Sequence, residues 1–260
     1  MGSEQLPEFF YEIFDASLPR LGPGDTASTL KALTMLRSAG AYAGNKAADR
    51  TTRILDLGCG NGAQTLVLAG HTDGSILAVD NHQPFLDELQ RRAAAADVAE
   101  RIQVRLQDMR SLDKSDGLFD LIWSEGALFV MGFREGLTVC HPLLAPGGGL
   151  AASELCWLRP DPPAACREFF AAEYPALADV ETNLAVIRAC GYEVVGQFAQ
   201  PQSAWWEPYY HPIEARLRVL RTRHPGDADK LSIIEHLQAE VDLYRRYSAY
   251  YGNVFFVMRC

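Results

Sequence analysis

From Arg53 onward, short runs of consecutive apolar residues alternate with longer amphipathic stretches. Apolar runs of five to eight residues at Arg53 to Leu57, Ser75 to Val79, Arg101 to Leu106, Phe119 to Trp123, Leu150 to Cys156, Tyr192 to Ala199 and Asn253 to Arg259 predict seven strands. They lack in/out alternation, as strands of a sheet covered on both faces must. Helices are predicted between them: Ala63 to Ala69, Phe85 to Ala96 behind Pro84, Phe133 to Leu144, Ala164 to Ala172, and Val180 to Cys190 closed by Gly191. The alternation implies an α/β fold, a doubly wound and mostly parallel seven-stranded sheet. Two helices precede it, roughly Glu4 to Ser17 and a second capped by Asp25 or Thr26, joined by a Pro/Gly turn over Leu18 to Asp25. Residues 1–40 are expected to form a helical cover and Gly40 to Asp49 a linker. The last two strands are separated by helical segments, Ile213 to Thr222 and Asp229 to Tyr247, so residues 203–250 read as a helical lid inserted into a single domain spanning 1–260.

Composition narrows the partners. The 260 residues carry 33 acids against 24 Lys and Arg, a net charge of −9. A nucleic-acid ligand is disfavoured, because such affinity rests on neutralising phosphates. No apolar run reaches the roughly 18 residues of a membrane span, and the N-terminus lacks the basic and apolar regions of a secretory signal. The six cysteines form no CxxC pair. They are therefore expected to be small buried residues in a reducing cytoplasm rather than a zinc site or disulfide framework. No metal is assigned.

The chemistry concentrates after the first strand, in Asp56-Leu-Gly58-Cys59-Gly60-Asn61-Gly62-Ala63. A glycine turn between strand and helix lets the backbone approach a ligand, and the helix start offers free N–H groups. Gly58, Gly60 and Ala63 satisfy the dinucleotide fingerprint, with Asp80 placed to bind a ribose. An NAD(P)-dependent oxidoreductase is thus one reading. Asp56 argues for another: a carboxylate there repels a pyrophosphate and suits a ligand carrying an ammonium group.

Taken together, Asp56 to Gly62, Asp80 after the second strand, Asp108 in Gln107-Asp108-Met109, and Leu144-Ala-Pro-Gly-Gly-Gly149 resemble class I S-adenosylmethionine-dependent methyltransferases over nearly the whole chain. The spelling Gly62-Ala-Gln-Thr65, Trp123-Ser-Glu-Gly-Ala127 and Tyr250-Tyr-Gly252 is similar to bacterial small-molecule methyltransferases of unassigned substrate. The resemblance implies S-adenosylmethionine as cofactor, leaving as S-adenosylhomocysteine, on a Rossmann-like sheet whose last strand is antiparallel. It implies that Gly58, Gly60 and Gly62 pack on the methionine moiety, with Cys59 and Asn61 among the cofactor-binding residues of the same loop, Asp56 near the amino group and Gln64 and Thr65 near the carboxylate. Asp80 would accept from the ribose hydroxyls. Asn81 and Phe85 would flank the adenine, Asp108 and Met109 would meet its edge, and Ser124 would face the sulfonium.

On the acceptor side, Glu125 at the end of the fourth strand is the candidate general base, with acceptor binding and structural bonding as its alternatives. The pattern Asp/Asn-Pro-Pro-Tyr of one DNA-methylating subclass is absent here. Tyr11, Phe129, Trp205, Trp206, Tyr209 and His211 are candidates to line the acceptor pocket, an alternative being that the tryptophans only anchor the lid. The expected partner is a small-molecule acceptor, with no nucleic acid and no membrane; monomer and homodimer both stay open. A cofactor-binding protein without catalysis is the third functional class these residues allow.

Overall fold

The computed structural model describes residues 8–41 and 52–260. The first helix is therefore described from Glu8, and residues 42–49 of the expected linker lie outside the described part.

Eight strands form one sheet in the order β3-β2-β1-β4-β5-β8-β7: β1 (Arg53–Leu57), β2 (Ser75–Asp80), β3 (Ile102–Leu106), β4 (Phe119–Glu125), β5 (Leu144–Trp157), β7 (Glu193–Ala199) and β8 (Tyr251–Arg259), with the two-residue β6 (Ala178–Asp179) pairing off this path with β5. Pairs along β3-β2-β1-β4-β5 are parallel, and β8 runs antiparallel to both neighbours. The reversal of strand order between β1 and β4 creates the crevice at the carboxyl edge where open sheets of this kind bind ligands. Ile54, Leu55, Leu121, Ile122, Trp123, Leu150, Ala151 and Phe255 are fully buried. This is the continuous apolar pattern expected of central strands.

Local chemistry sets the element ends. Asp25 accepts from the Ser28 backbone N–H at 2.6 Å and starts α2 (Thr26–Ser38). Asp179 and Asp227 cap α7 (Val180–Ala189) and α10 (Ala228–Tyr247) in the same way. The helix expected over Phe133 to Leu144 stops at Cys140, because Pro142 has no N–H to continue the ladder; a 3₁₀ turn follows and β5 begins at Leu144. That early start is a single pairing, Phe119 with Leu144, after which Ala145 to Gly148 bulge and the register resumes at Leu121 with Gly149.

A second core lies outside the sheet. It joins α1 (Glu8–Ile13), α6 (Ala164–Glu173) and the insertion between β7 and β8, which comprises α8 (Ser203–Trp205), a π-helical turn at Trp206–Tyr210, α9 (His211–Arg223) and α10. Pro208 and Pro212 each remove a donor from the i−4 ladder, which accounts for the widened turn. Trp205, Tyr209, Tyr210, Ile213, Leu217 and Leu220 are all buried in this cluster. Residues 14–24 run between α1 and α2 as a strap over the carboxyl edge of the sheet.

Candidate functional site

At that carboxyl edge the structure opens a cleft of about 260 Å³, walled by the ends of β1, β2, β3 and β4 and by the strap. Of the residues predicted to hold a cofactor, Gly58, Cys59, Gly60, Asn61, Gln64, Asp80, Asn81, Phe85, Asp108 and Met109 line it.

The glycines are there for steric reasons. Gly58, Gly60 and Gly62 have φ of +64°, +52° and +84°, in the left-handed region that side chains disfavour. A Cβ on Gly58 would collide with Ala127, and one on Gly62 with Leu89. Gly62 does not line the cleft; it lets α3 (Ala63–His71) pack on α4 (Gln83–Ala95) and leaves the first N–H groups of α3 without a side-chain cap. We expect Gly62→Ala to cost about 2–5 kcal/mol, the sum of left-handed strain and overpacking. Calorimetry should show a melting point lower by roughly 5–15 °C.

Asp80, at the end of β2, accepts from the Gly60 backbone N–H at 2.9 Å and the His82 backbone N–H at 3.0 Å. These bonds clamp the glycine loop onto β2 and leave the carboxylate at the cleft wall. Burial pushes its pKa up, and the two N–H donors oppose that shift. Asp108 accepts from the Arg110 backbone N–H at 2.9 Å, capping a short 3₁₀ turn at Met109–Ser111 beside the Asp80 end of the cleft.

Besides Gly62, three predicted cofactor residues lie outside the cleft lining. Asp56 is fully buried behind the loop and accepts from Thr65 Oγ1 at 2.5 Å and Gln64 Nε2 at 3.3 Å. Its side chain points away from the cleft because strand alternation turns it toward α3. Burial raises its pKa to about 7. A carboxyl with a raised folded-state pKa favours folding most below the ordinary carboxylate range, and that contribution is lost as pH climbs toward 7. Thr65 is fully buried on Asp56. Ser124 is buried too and donates to the Leu57 carbonyl at 3.1 Å, joining β4 to β1 rather than facing the cleft.

The acceptor-side prediction fares differently by region. Tyr11, Glu125 and Phe129 line the cleft. Trp205, Trp206, Tyr209 and His211 do not. Trp205 stacks on Tyr244 with ring centroids 4.3 Å apart, Tyr209 is buried, Trp206 lies against Tyr210, and His211 is exposed on the lid. Their spacing along the helix turns them into the second core. Tyr11 sits at the Asp80 end of the cleft. Its ring stacks on His82 at 3.7 Å and near-zero tilt, beside Asp80, whose charge together with burial raises the phenol pKa.

Glu125, at the end of β4, is tied to its surroundings by its side chain. Its side chain is 2% exposed. Arg20 Nη1 meets Oε2 at 2.8 Å, while Thr29 Oγ1 and Trp123 Nε1 donate to Oε1 at 2.6 and 2.9 Å. Glu125 thereby fastens the strap and α2 to the sheet, the structural bonding that was one of its expected roles. The strap has a second fastening. Asn61 Nδ2 donates to the carbonyls of Ala16 and Leu18 at 3.0 and 2.7 Å, and Arg92 Nη2 reaches the same two carbonyls. The strap residues Arg20 and Leu21, and Phe10 of α1, line the cleft without having been singled out in the sequence, beside Gly22 and Pro23 of the Pro/Gly turn. The signal for them is slight: the Pro/Gly turn before α2.

Comparison with known proteins matches this architecture. Residues 54–148 match a family described as "Methyltransferase domain". The chain is 30% identical over 103 residues to 27-O-demethylrifamycin SV methyltransferase of Amycolatopsis mediterranei, covering 39% of this chain and 38% of that protein. It is 30% identical over 113 residues to demethylmenaquinone methyltransferase of Lactiplantibacillus plantarum, covering 42% and 47%. These matches span less than half the length of either curated relative. Among solved structures, an S-adenosylmethionine-dependent methyltransferase from Geobacter sulfurreducens in complex with S-adenosyl-L-homocysteine aligns over 98% of both chains, with a TM-score of 0.80 at 22% identity. One from Thiobacillus denitrificans, in complex with the same molecule, aligns over 98% of this chain and 99% of that one, with a TM-score of 0.79 at 23% identity. At such identities the likeness is one of fold.

Proposed function

We propose that this chain, a class I methyltransferase by its fold and by the domain at residues 54–148, transfers a methyl group from S-adenosylmethionine to a small-molecule acceptor. The observation that carries the reading is the order of groups along one cleft. The glycine loop follows β1, Asp80 follows β2, and Asp108 with Met109 follows β3, all on the same carboxyl edge. That order suits an adenosine laid across three strands with its amino-acid end on the loop. The glycine loop and Asp80 alone serve a dinucleotide equally well, so the decision for methyl transfer over hydride transfer rests on the domain match and the shared fold.

The residues fit the cofactor. Gly58 and Gly60 expose backbone where a side chain would intrude, Gln64 offers an amide at the α3 start, and Asp80 retains acceptor capacity for hydroxyls. Phe85 and Met109 supply apolar faces for a flat base. S-adenosylmethionine brings a methyl group on a sulfonium, whose departure as a thioether needs no acid. The protein's contribution is then proximity and alignment. The strap, fastened by Asn61 and Arg92 at one point and Glu125 at another, excludes water from above. Arg20 pairs with Glu125 and Arg110 with Asp108 in the cleft wall, which leaves Asp80 as the carboxylate that favours a cationic ligand.

The test is twofold. Titration calorimetry is expected to show binding of S-adenosylhomocysteine and none of NADH. Methyl-labelled S-adenosylmethionine incubated with a protein-free metabolite extract is expected to yield labelled product, read by mass spectrometry. Binding of NADH alone would overturn the reading. Tight S-adenosylhomocysteine binding with no labelled product in any extract would leave a cofactor-binding protein without catalysis.

A further inference from the structure

The strap carries a charge that its clasp on β4 does not exhaust. Arg20 has a side chain only 9% exposed, so its guanidinium is withdrawn from bulk water. Nη1 meets Glu125 Oε2 at 2.8 Å, and among the described residues Glu125 is the guanidinium's one hydrogen-bond partner. A guanidinium has five N–H donors. Those on Nε and Nη2 are therefore left over, with one more on Nη1. These nitrogens are not among the polar atoms sealed without a partner inside the fold, so they face open space. Arg20 lines the cleft on one side and, on the other, a cavity of about 530 Å³ bounded by Asp25, Ser203 and Glu207. The carboxylates of Asp25 and Glu207 repel an anion from that second cavity, which leaves the cleft as the side from which one can reach Arg20.

Its neighbours place Arg20 at one end of the cleft. Leu21 lies over the glycine loop, so near that a Cβ on Gly60 would come within 3.1 Å of Leu21 Cδ1. Glu125 ends β4, the strand beside β1. Arg20 thus stands where the loop after β1 meets the end of β4. Gly24 keeps room for it, since a Cβ there would collide with Arg20 Nη1 and lie 3.0 Å from Glu125 Oε2. The other guanidinium lining the cleft is that of Arg110, after β3, where Nη1 meets Asp108 and Nη2 donates to the Val130 carbonyl. Among the described residues, Arg20 is therefore the cation of the glycine-loop end. It is held there by a carboxylate that Thr29 and Trp123 orient in turn. A clasp alone does not call for this arrangement, because an apolar pair of similar volume would fasten the strap without burying a charge.

Resting on the methyltransferase reading above, we propose that the spare N–H groups of Arg20 bind the carboxylate at the amino-acid end of the cofactor. Arg20 is then the residue that distinguishes a whole S-adenosylmethionine from other adenosine thioethers. A carboxylate entering a cleft that excludes water needs a cation and coplanar donors, and the guanidinium fork supplies both. Glu125 stops the fork from turning away and offsets its charge before the ligand arrives. Because Arg20 belongs to the strap, the same contact ties that cover to the bound ligand. A ligand without the carboxylate leaves the fork unpaired and binds more weakly.

The test compares two ligands that differ in one group: S-adenosylhomocysteine and its decarboxylated analogue, which keeps the adenosine, the thioether and the amine. Calorimetry on the full wild-type chain is expected to show a preference for S-adenosylhomocysteine of about tenfold or more, the worth of a hydrogen bond between charged groups. In the double variant Arg20→Met with Glu125→Leu, which leaves neither charge unpaired, the two ligands are expected to bind within about twofold of each other. Arg20→Lys keeps a charge but not the fork, and should retain only part of the preference. The readout is the ratio of the two affinities, because a loosened strap weakens both ligands alike and leaves the ratio where it was. An unaltered ratio in both variants, or a wild-type chain that binds the two ligands equally, would overturn the assignment. An unaltered ratio with a raised KM for the labelled acceptor gives Arg20 to the acceptor instead and overturns it too. A wild-type chain that binds NADH and neither adenosyl ligand overturns the methyltransferase reading itself, and this inference with it.

Discussion

Asp80→Ala is expected to raise the dissociation constant for S-adenosylhomocysteine about 100-fold. The carboxylate has two tasks in the structure. It clamps the glycine loop through the Gly60 and His82 backbone N–H groups, and it keeps acceptor capacity for a ligand in the cleft. Hydrogen bonds to a charged acceptor contribute about 1.5–3 kcal/mol each. Two ribose hydroxyls therefore account for about 3 kcal/mol, a factor of roughly 100 in affinity. Asp80→Asn should lose nearly as much, since its amide places donors opposite N–H groups that already donate. The affinity should also depend on pH with a definite sign. Burial raises the Asp80 pKa, so binding is strongest where the group is ionised and weakens on acidification at a pH above the ordinary carboxylate range. Calorimetry at a series of pH values measures both effects. An affinity for the Ala variant within threefold of wild type would remove Asp80 from the ribose site.

How far the amino-acid sequence reveals a feature of this site depends on how local that feature is. The strand, glycine turn and helix at 53–71 are encoded by adjacent residues, and so is the position of Asp80 one strand later. Those expectations match the cleft that forms. Asp56 is expected at the ligand because its sequence position is beside the loop, yet its direction is set by strand alternation. Counting from Ile54, buried against α3, puts Asp56 on the same face, with Thr65 as its partner. The aromatic insert misleads for a similar reason. Its residue types suggest a pocket, yet the spacing of Trp205, Tyr209, Ile213, Leu217 and Leu220 is that of a helix face turned to a core. The clasp on Glu125 is out of reach of local patterns. Arg20 lies 105 positions away in sequence, and nothing in either neighbourhood specifies the pairing. The two-residue β6 is too short to carry a pattern.

Glu125→Ala is expected to destabilise the fold by about 3–5 kcal/mol, because it strands a buried cation. Arg20 is 8% exposed and has its guanidinium on Glu125; Thr29 and Trp123 lose the same acceptor. The strap then loses its tie to β4, keeping those at Asn61 and Arg92, at Gly24 to Ala204 and at Asp15 to Arg216, so cofactor affinity and turnover fall together. This pattern separates a clasp from a general base. A base replaced by Gln would lose turnover at full stability and full cofactor affinity. A clasp replaced by Gln keeps the amide oxygen for Thr29 and Trp123 but loses the charge opposite Arg20, so stability and cofactor affinity decline with turnover. The paired change Arg20→Met with Glu125→Leu removes both charges and should recover much of the stability lost by Glu125→Ala, since well-packed apolar replacements of a buried ion pair are often neutral or better. If the strap needs only to be held, that double variant also recovers cofactor binding. Melting curves, S-adenosylhomocysteine calorimetry and labelled-methyl turnover on the three variants decide the matter. Full stability with abolished turnover in Glu125→Gln would return Glu125 to the role of base, whereas parallel losses relieved by the double variant establish that its carboxylate holds the cleft closed.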